Sequence, residues 1–205
     1  EVLTQPYVDY HISRGDLQTA RESAQEGLAI ATPIGASIAE FQGYFQLAMI
    51  ACWQGEYDEA LALLKEVDRI SQVLPAPGFR LLHLAEFGGI YLDISEELVD
   101  RSQAYHVEAL AILNNGAGGF GSLAWKEIGL CHLITGDLDR AGEYLQNVLS
   151  AQDSFMFYVR PPLLVCQELL ALARHQHPQA NDRIFEERSF VEERGMRNYI
   201  PLIAL

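Results

Sequence analysis

The sequence predicts an all-α fold built as a solenoid of about five helical hairpins, and three observations predict it. The six residues Gly136-Asp137-Leu138-Asp139-Arg140-Ala141 recur as Gly55-Glu56-Tyr57-Asp58-Glu59-Ala60 and Gly15-Asp16-Leu17-Gln18-Thr19-Ala20. Each copy has Gly, an acid, a large apolar residue, two polar residues and then Ala. The copies also keep a period. The first two glycines are 40 residues apart (55 − 15) and the next gap is 81 (136 − 55), with a degenerate copy, Glu97-Leu98-Val99-Asp100-Arg101-Ser102, in between and a weaker one from His175, 39 residues after Gly136. Thirdly, apolar residues recur three or four apart on either side of each copy, as a buried helical stripe requires. Self-similarity at such a period is the signature of stacked repeats.

Taken in order, residues 1–14 read as the end of a first helix closed by Gly15. Asp16 starts a second helix whose stripe is Leu17, Ala20, Ala24, Leu28 and Ala31, and Thr32-Pro33-Ile34-Gly35 ends it. The next unit is the clearest. A helix over 37–54 carries Ile38, Phe41, Phe45, Ala48, Met49 and Cys52, Gly55 turns the chain, and a helix over 56–74 returns with Tyr57, Ala60, Leu63, Leu64, Val67, Ile70 and Leu74. Two helices joined by a tight Gly turn form a helical hairpin. The third unit, 79–115, lacks the turn glycine and places Gly88-Gly89 inside its first helix, where an exposed Gly costs about 1 kcal/mol relative to Ala. A close helix crossing is the expected reason. The fourth unit restores the pattern with Trp125, Ile128, Gly129, Leu133, Gly136, Ala141, Tyr144, Leu145, Val148 and Leu149, and Pro161-Pro162 opens a fifth. The repeats run approximately 1–34, 35–77, 78–117, 118–160 and 161–197, with 198–205 beginning another helix.

Composition bounds what the array does. Twenty-eight acidic against fourteen basic residues give a net charge of −14, which repels a phosphate backbone and argues against nucleic acid as a partner. No apolar run has the length of a membrane span. The chain starts at Glu1 with no export signal and stops within an apolar segment, so a cytoplasmic fragment of a longer polypeptide is expected. Cys52, Cys131 and Cys166 are odd in number and lie on apolar helix stretches, which fits reduced, buried thiols.

Counted from the turn glycine, Trp125 and Tyr44 fall eleven places before, Ala48 and Gly129 seven before, Ala60 and Ala141 five after, and Leu64 and Leu145 nine after. That spacing resembles the tetratricopeptide repeat, clearly in the second and fourth units, partly in the first and poorly in the third and fifth. The period exceeds the usual 34 of that family, which longer helices explain. The form is similar to the long repeats of MalT-like bacterial regulators and of other signalling ATPases and ATPase-linked adenylate cyclases. The resemblance implies a right-handed α-α superhelix, a regulatory or protein-binding role in signalling or transcription, and no catalysis. A HEAT-like array has a similar period, but the fixed Gly-to-Ala spacing argues against it.

Several motifs suggest chemistry and lose it on inspection. Gly116-Ala117-Gly118-Gly119-Phe120-Gly121 matches the dinucleotide fingerprint, which works only between a strand and a helix; here it falls between two helical hairpins and reads as a loop, so no cofactor is expected. The histidines lack the spacing of metal ligands, and His11 and His132 share one repeat position, four before the turn, so register explains them. Cys131 and His132 are adjacent on a helix and point about 100° apart. The pairs Glu96-Glu97, Glu186-Glu187 and Glu192-Glu193 read as wet helix faces.

The resemblance points to the concave face instead. It implies that positions thirteen, ten, six, three and two before the turn line a groove: Gln42, Phe45, Met49, Cys52 and Trp53 in the second unit, Leu84, Phe87, Tyr91, Ile94 and Ser95 in the third, and Leu123, Lys126, Leu130, Leu133 and Ile134 in the fourth. Phe45, Met49, Trp53, Phe87, Tyr91, Lys126 and Leu130 are the candidate contacts for a peptide, a partner helix or a small effector. Apolar patches of this kind mark contact surfaces; the same residues could equally be covered by neighbouring helices or by another domain of the same chain. Homo-oligomerisation through the ends of the array, and an enzyme whose site does not show in sequence, are the competing functions.

Overall fold

The computed structural model describes residues 4–94, 99–116, 121–150 and 156–175, together with 189 and 193. Among them are nine α-helices and no strand: α1 (Thr4–Ser13), α2 (Leu17–Ala31), α3 (Ser37–Trp53), α4 (Tyr57–Ser71), α5 (Pro77–Ile94), α6 (Val99–Asn114), α7 (Gly121–Ile134), α8 (Leu138–Ser150) and α9 (Met156–Ala173), with a 3-10 turn over Thr32–Ile34. Each helix packs on its successor in the pairs α1/α2, α3/α4, α5/α6 and α7/α8, and α9 packs on both α7 and α8. The odd-numbered helices also touch, α1 with α3, α5 with α7 and α7 with α9. Phe41 of α3 meets Phe79 of α5 edge-on at 5.0 Å between ring centres.

The recurring six residues are the hairpin turns. Gly15, Gly55 and Gly136 have φ of 74°, 76° and 81°, a left-handed conformation that costs a side chain about 1–2 kcal/mol. After each glycine the next amide reaches back to the carbonyl five residues earlier: Asp16 to His11 at 3.0 Å, Glu56 to Ala51 at 2.8 Å and Asp137 to His132 at 2.9 Å. This is the Schellman closure of a helix end, which satisfies carbonyls the helix leaves open. Asp16 then accepts from the Thr19 amide at 3.3 Å and Asp137 from the Arg140 amide at 3.2 Å, so each caps the following helix. The weak fifth copy keeps the turn without the glycine: His175 sits at φ 60°, and its amide donates to the Leu172 carbonyl at 2.9 Å.

The sixth place of the motif is where paired helices meet. Ala20, Ala60 and Ala141 have no exposed surface. At Gly129 of α7, a Cβ would lie 2.9 Å from Leu145 of α8, so these helices approach more closely than a methyl group allows. One apolar core runs from Phe41 through Leu64, Leu81, Leu84, Ile90, Ala124 and Leu145 to Leu163, and a second joins Val8, Ile12, Ala20, Ala24, Leu47 and Ile50. Arg21 of α2, pairing with Glu56 and with Glu59 at 2.9 Å, ties the first hairpin to the turn of the second. Arg174 binds the Leu138 carbonyl at 2.6 Å and ties the end of α9 to the start of α8.

The third hairpin keeps the register with different chemistry. Counted from Glu97, the Ala place is Ser102, with no exposed surface, and the place of Leu64 and Leu145 is His106, 4% exposed. Gly88 and Gly89 accommodate this polar core. A Cβ on Gly88 would lie 2.3 Å from His106 Nε2, and one on Gly89 would lie 2.7 Å from a carboxylate oxygen of Glu127 on α7. The two glycines in mid-helix are therefore the crossing points of α6 and α7 on α5.

Candidate functional site

On α3 the groove positions form a half-open stripe. Gln42, Phe45, Met49, Cys52 and Trp53 are all half-buried, whereas Phe41, Leu47, Ala48, Ile50 and Ala51 on the remaining faces are buried. Phe45 lies parallel to Phe41 at 6.1 Å, and Trp53 packs against the α1–α3 core. The stripe does not continue onto α5. Ten consecutive residues, Leu81 to Ile90, are buried; at 100° per residue they cover every side of that helix. Phe87 in particular is 4% exposed and stacks on Tyr105 of α6 at 4.9 Å, which makes it a core residue of its hairpin. Tyr91 is half-buried, also stacked on Tyr105, with the Arg101 guanidinium 5.8 Å over its ring. Ser95 and the Ile94 side chain lie outside the described residues.

On α7, Leu130 and Leu133 are half-buried and Ile134 is 38% exposed, while Leu123 is buried. Lys126 is drawn inward. Its ammonium pairs with Glu127, the two side chains being only 13% and 7% exposed. Burial works against its charge, but Glu127 and Glu86 outweigh that and hold the ammonium well above the usual lysine range. Glu86, Ser122, Glu127 and Gln167 are buried polar residues where α5, α7 and α9 meet. Sequence inspection singled out Lys126 and passed over its partners. The repeat count contains a signal for them: nine places before the turn stand Gln46 and Glu127, both buried, and Gln46 donates to Asp9 of α1 at 3.0 Å. That register is a polar seam between odd-numbered helices.

A second charged cluster clamps the α4–α5–α6 junction. Arg80 of α5 pairs with Asp68 of α4 and donates to Glu108 of α6 at 2.9 and 3.1 Å, and Asp68 also meets His83 Nε2 at 3.1 Å. His83 is 1% exposed. Burial, with help from Arg80 and against the pull of Asp68, pushes its pKa down to about 4.

The remaining motifs resolve into turns and packing. His11 and His132 turn Nδ1 toward the capping Asp16 and Asp137, at 3.0 and 3.8 Å. His132 lies flat on Tyr144 at 5.4 Å, whereas Cys131 lies 3.9 Å from Ser102, so the two neighbours face different surroundings. The glycine-rich run is preceded by helix α6, and Gly121 already opens α7; residues 117–120 lie outside the described residues, as do Glu96, Glu97, Glu186, Glu187 and Glu192. No disulfide joins the cysteines, of which Cys131 and Cys166 are buried. Among the described residues no group of three side chains could hold a metal ion, and no helix is long and apolar enough to cross a membrane. Compared with known protein families, characterised proteins and solved structures, the chain has no match.

Proposed function

We propose that this chain is a noncatalytic binding or regulatory module, a right-handed array of about five tetratricopeptide-like hairpins within a larger cytoplasmic signalling protein. Its partner is a peptide, a partner helix or a small effector. The observation that carries this reading is the stripe on α3: five positions at groove spacing, three of them the large side chains Phe45, Met49 and Trp53, are half-buried on a helix where Phe41, Leu47, Ala48, Ile50 and Ala51 are closed. The contacts of α1 with α3, of α5 with α7 and of α7 with α9 support it, because stacked hairpins bring helices two apart in the chain together. The face is broken at α5 and resumes with Leu130, Leu133 and Ile134 on α7. Contact is therefore centred on the second hairpin, with Tyr91 and Leu130 at its margin.

Peptides selected from a random display library on the wild-type chain test the reading. Trp53→Ala with Tyr91→Ala, and separately Met49→Glu, should weaken the selected peptides tenfold or more, about 1.4 kcal/mol or above, while circular dichroism shows the helices intact. Unchanged affinities in folded variants would refute the groove.

A further inference from the structure

The third hairpin differs from the first, second and fourth at a core place. At the core place nine after the turn, the first, second and fourth hairpins carry Ala24, Leu64 and Leu145, at most 2% exposed, and the third carries His106. The imidazole is wedged between α5 and α6. Its Nδ1 lies 3.4 Å from Ser102 Oγ, and its Nε2 faces Gly88 and is buried with no hydrogen-bond partner. A neutral ring tolerates this, because one nitrogen carries no proton. An imidazolium does not, because both nitrogens then donate, and the one against Gly88 meets helical backbone whose carbonyls serve the helix itself.

The charges around the ring do not compensate. From α7, Lys126 and His132 oppose a further positive charge, and Glu127, lying over Gly89, is engaged by Lys126. From α5 come Arg80 and His83, both committed to Asp68, and Glu86, which acts on Lys126. On α6 itself Ser102 is the ring's polar contact, and Glu108 is held by Arg80. We propose that His106 makes the α5–α6 contact an acid-sensitive joint, closed while the ring is neutral and opened when the ring takes a proton and leaves Gly88. Opening exposes the Phe87–Tyr91–Tyr105 stack and frees α6 from α5, while α5 keeps its contacts with α4 and α7.

The sign follows from where the proton binds. Burial first, then His132 and Lys126, push the closed-state pKa to about 4, below the roughly 6.5 of a solvated histidine. The closed state is thus favoured in full above about pH 6.5 and loses ground as pH falls toward 4, about tenfold between pH 7.5 and 5.5.

Hydrogen exchange of the full chain, read by mass spectrometry at pH 7.5 and 5.5 and corrected for intrinsic rates, tests the proposal. Peptides from α5 and α6 should lose about tenfold in protection at pH 5.5 relative to those from α3 and α4. Ser102→Ala with His106→Leu restores the side chains of the fourth hairpin and should abolish that loss. A flat wild-type profile overturns the proposal, as does an equal loss in α3 and α4, or an unchanged loss in the variant, which would move the effect to His83. If the variant does not fold, NMR titration of the wild-type histidine ring protons decides. A His106 resonance titrating near 6.5 rejects the joint, and one titrating well below it, while protection already falls between about pH 6.5 and 5.5, supports it.

Discussion

Adding one methyl group at Gly88 should destabilise the protein by about 2 kcal/mol, although the same change on an open helix face would stabilise it. Gly to Ala gains roughly 1 kcal/mol of helix propensity. Against this, the new Cβ would stand 2.3, 2.6 and 3.0 Å from Nε2, Cδ2 and Cε1 of His106, where relaxed carbon contacts need about 3.5–4.0 Å. The ring is 4% exposed and the surrounding α5 residues are buried, so it must shift by about an ångström into occupied space. Overpacking of this kind costs about 1–3 kcal/mol, and a rigid ring struck at three atoms belongs at the upper end, near 3. Subtracting the propensity gain leaves about 2 kcal/mol, or a fall in melting temperature of roughly 4–8 °C for a chain of this size. The decisive measurement is a double-mutant cycle by urea unfolding. In a His106→Ala background the obstacle is gone, so Gly88→Ala should become stabilising by up to about 1 kcal/mol, giving a coupling near 3 kcal/mol. If Gly88→Ala costs the same in both backgrounds, the close approach of Gly88 and His106 is wrong, and with it the reason for a glycine at this place.

Two further outcomes can be checked by the same unfolding experiment. Lys126→Met leaves Glu86 and Glu127 buried without their cation and should cost about 3–5 kcal/mol at neutral pH. Lys126→Met combined with Glu127→Gln should recover most of that loss, and failure to recover would mean that the pair does not act as a unit. At the fifth turn, His175→Val should cost about 1–2 kcal/mol, because a β-branched residue fits poorly at positive φ, whereas His175→Gly should stay within about 0.5 kcal/mol of wild type; equal stability of the two variants would place the turn elsewhere.

Much of the fold could be read from the chain because the turns use local chemistry. A left-handed glycine, a capping acid and an alanine at the helix contact act over six residues, so Gly15, Gly55 and Gly136 marked their turns with no tertiary information. The register also reached His175 and Ser102, where the marker residues are missing, since helix length fixes spacing even when composition drifts. Which helix faces stay open was less legible. Helical spacing puts Phe87 on the same face as Tyr91, but whether that face is open depends on how closely α6 and α7 come to α5. That depends on Gly88 and Gly89 admitting His106 and Glu127, contacts between residues 18 and 38 positions apart (106 − 88 and 127 − 89).

The sequence by itself determined that the described residues are helical, that the chain turns at Gly15, Gly55 and Gly136 and that Ala20, Ala60 and Ala141 lie between paired helices, because each of these follows from interactions within a few turns of one helix. Only the tertiary structure decided that α5 is enclosed while α3 keeps a half-open stripe, that Lys126 is held between carboxylates, and that a histidine sits in the core place of the third hairpin with one nitrogen against a glycine. The physical reason is that burial and the pairing of charge are properties of the space between helices, set by how closely distant side chains let them approach.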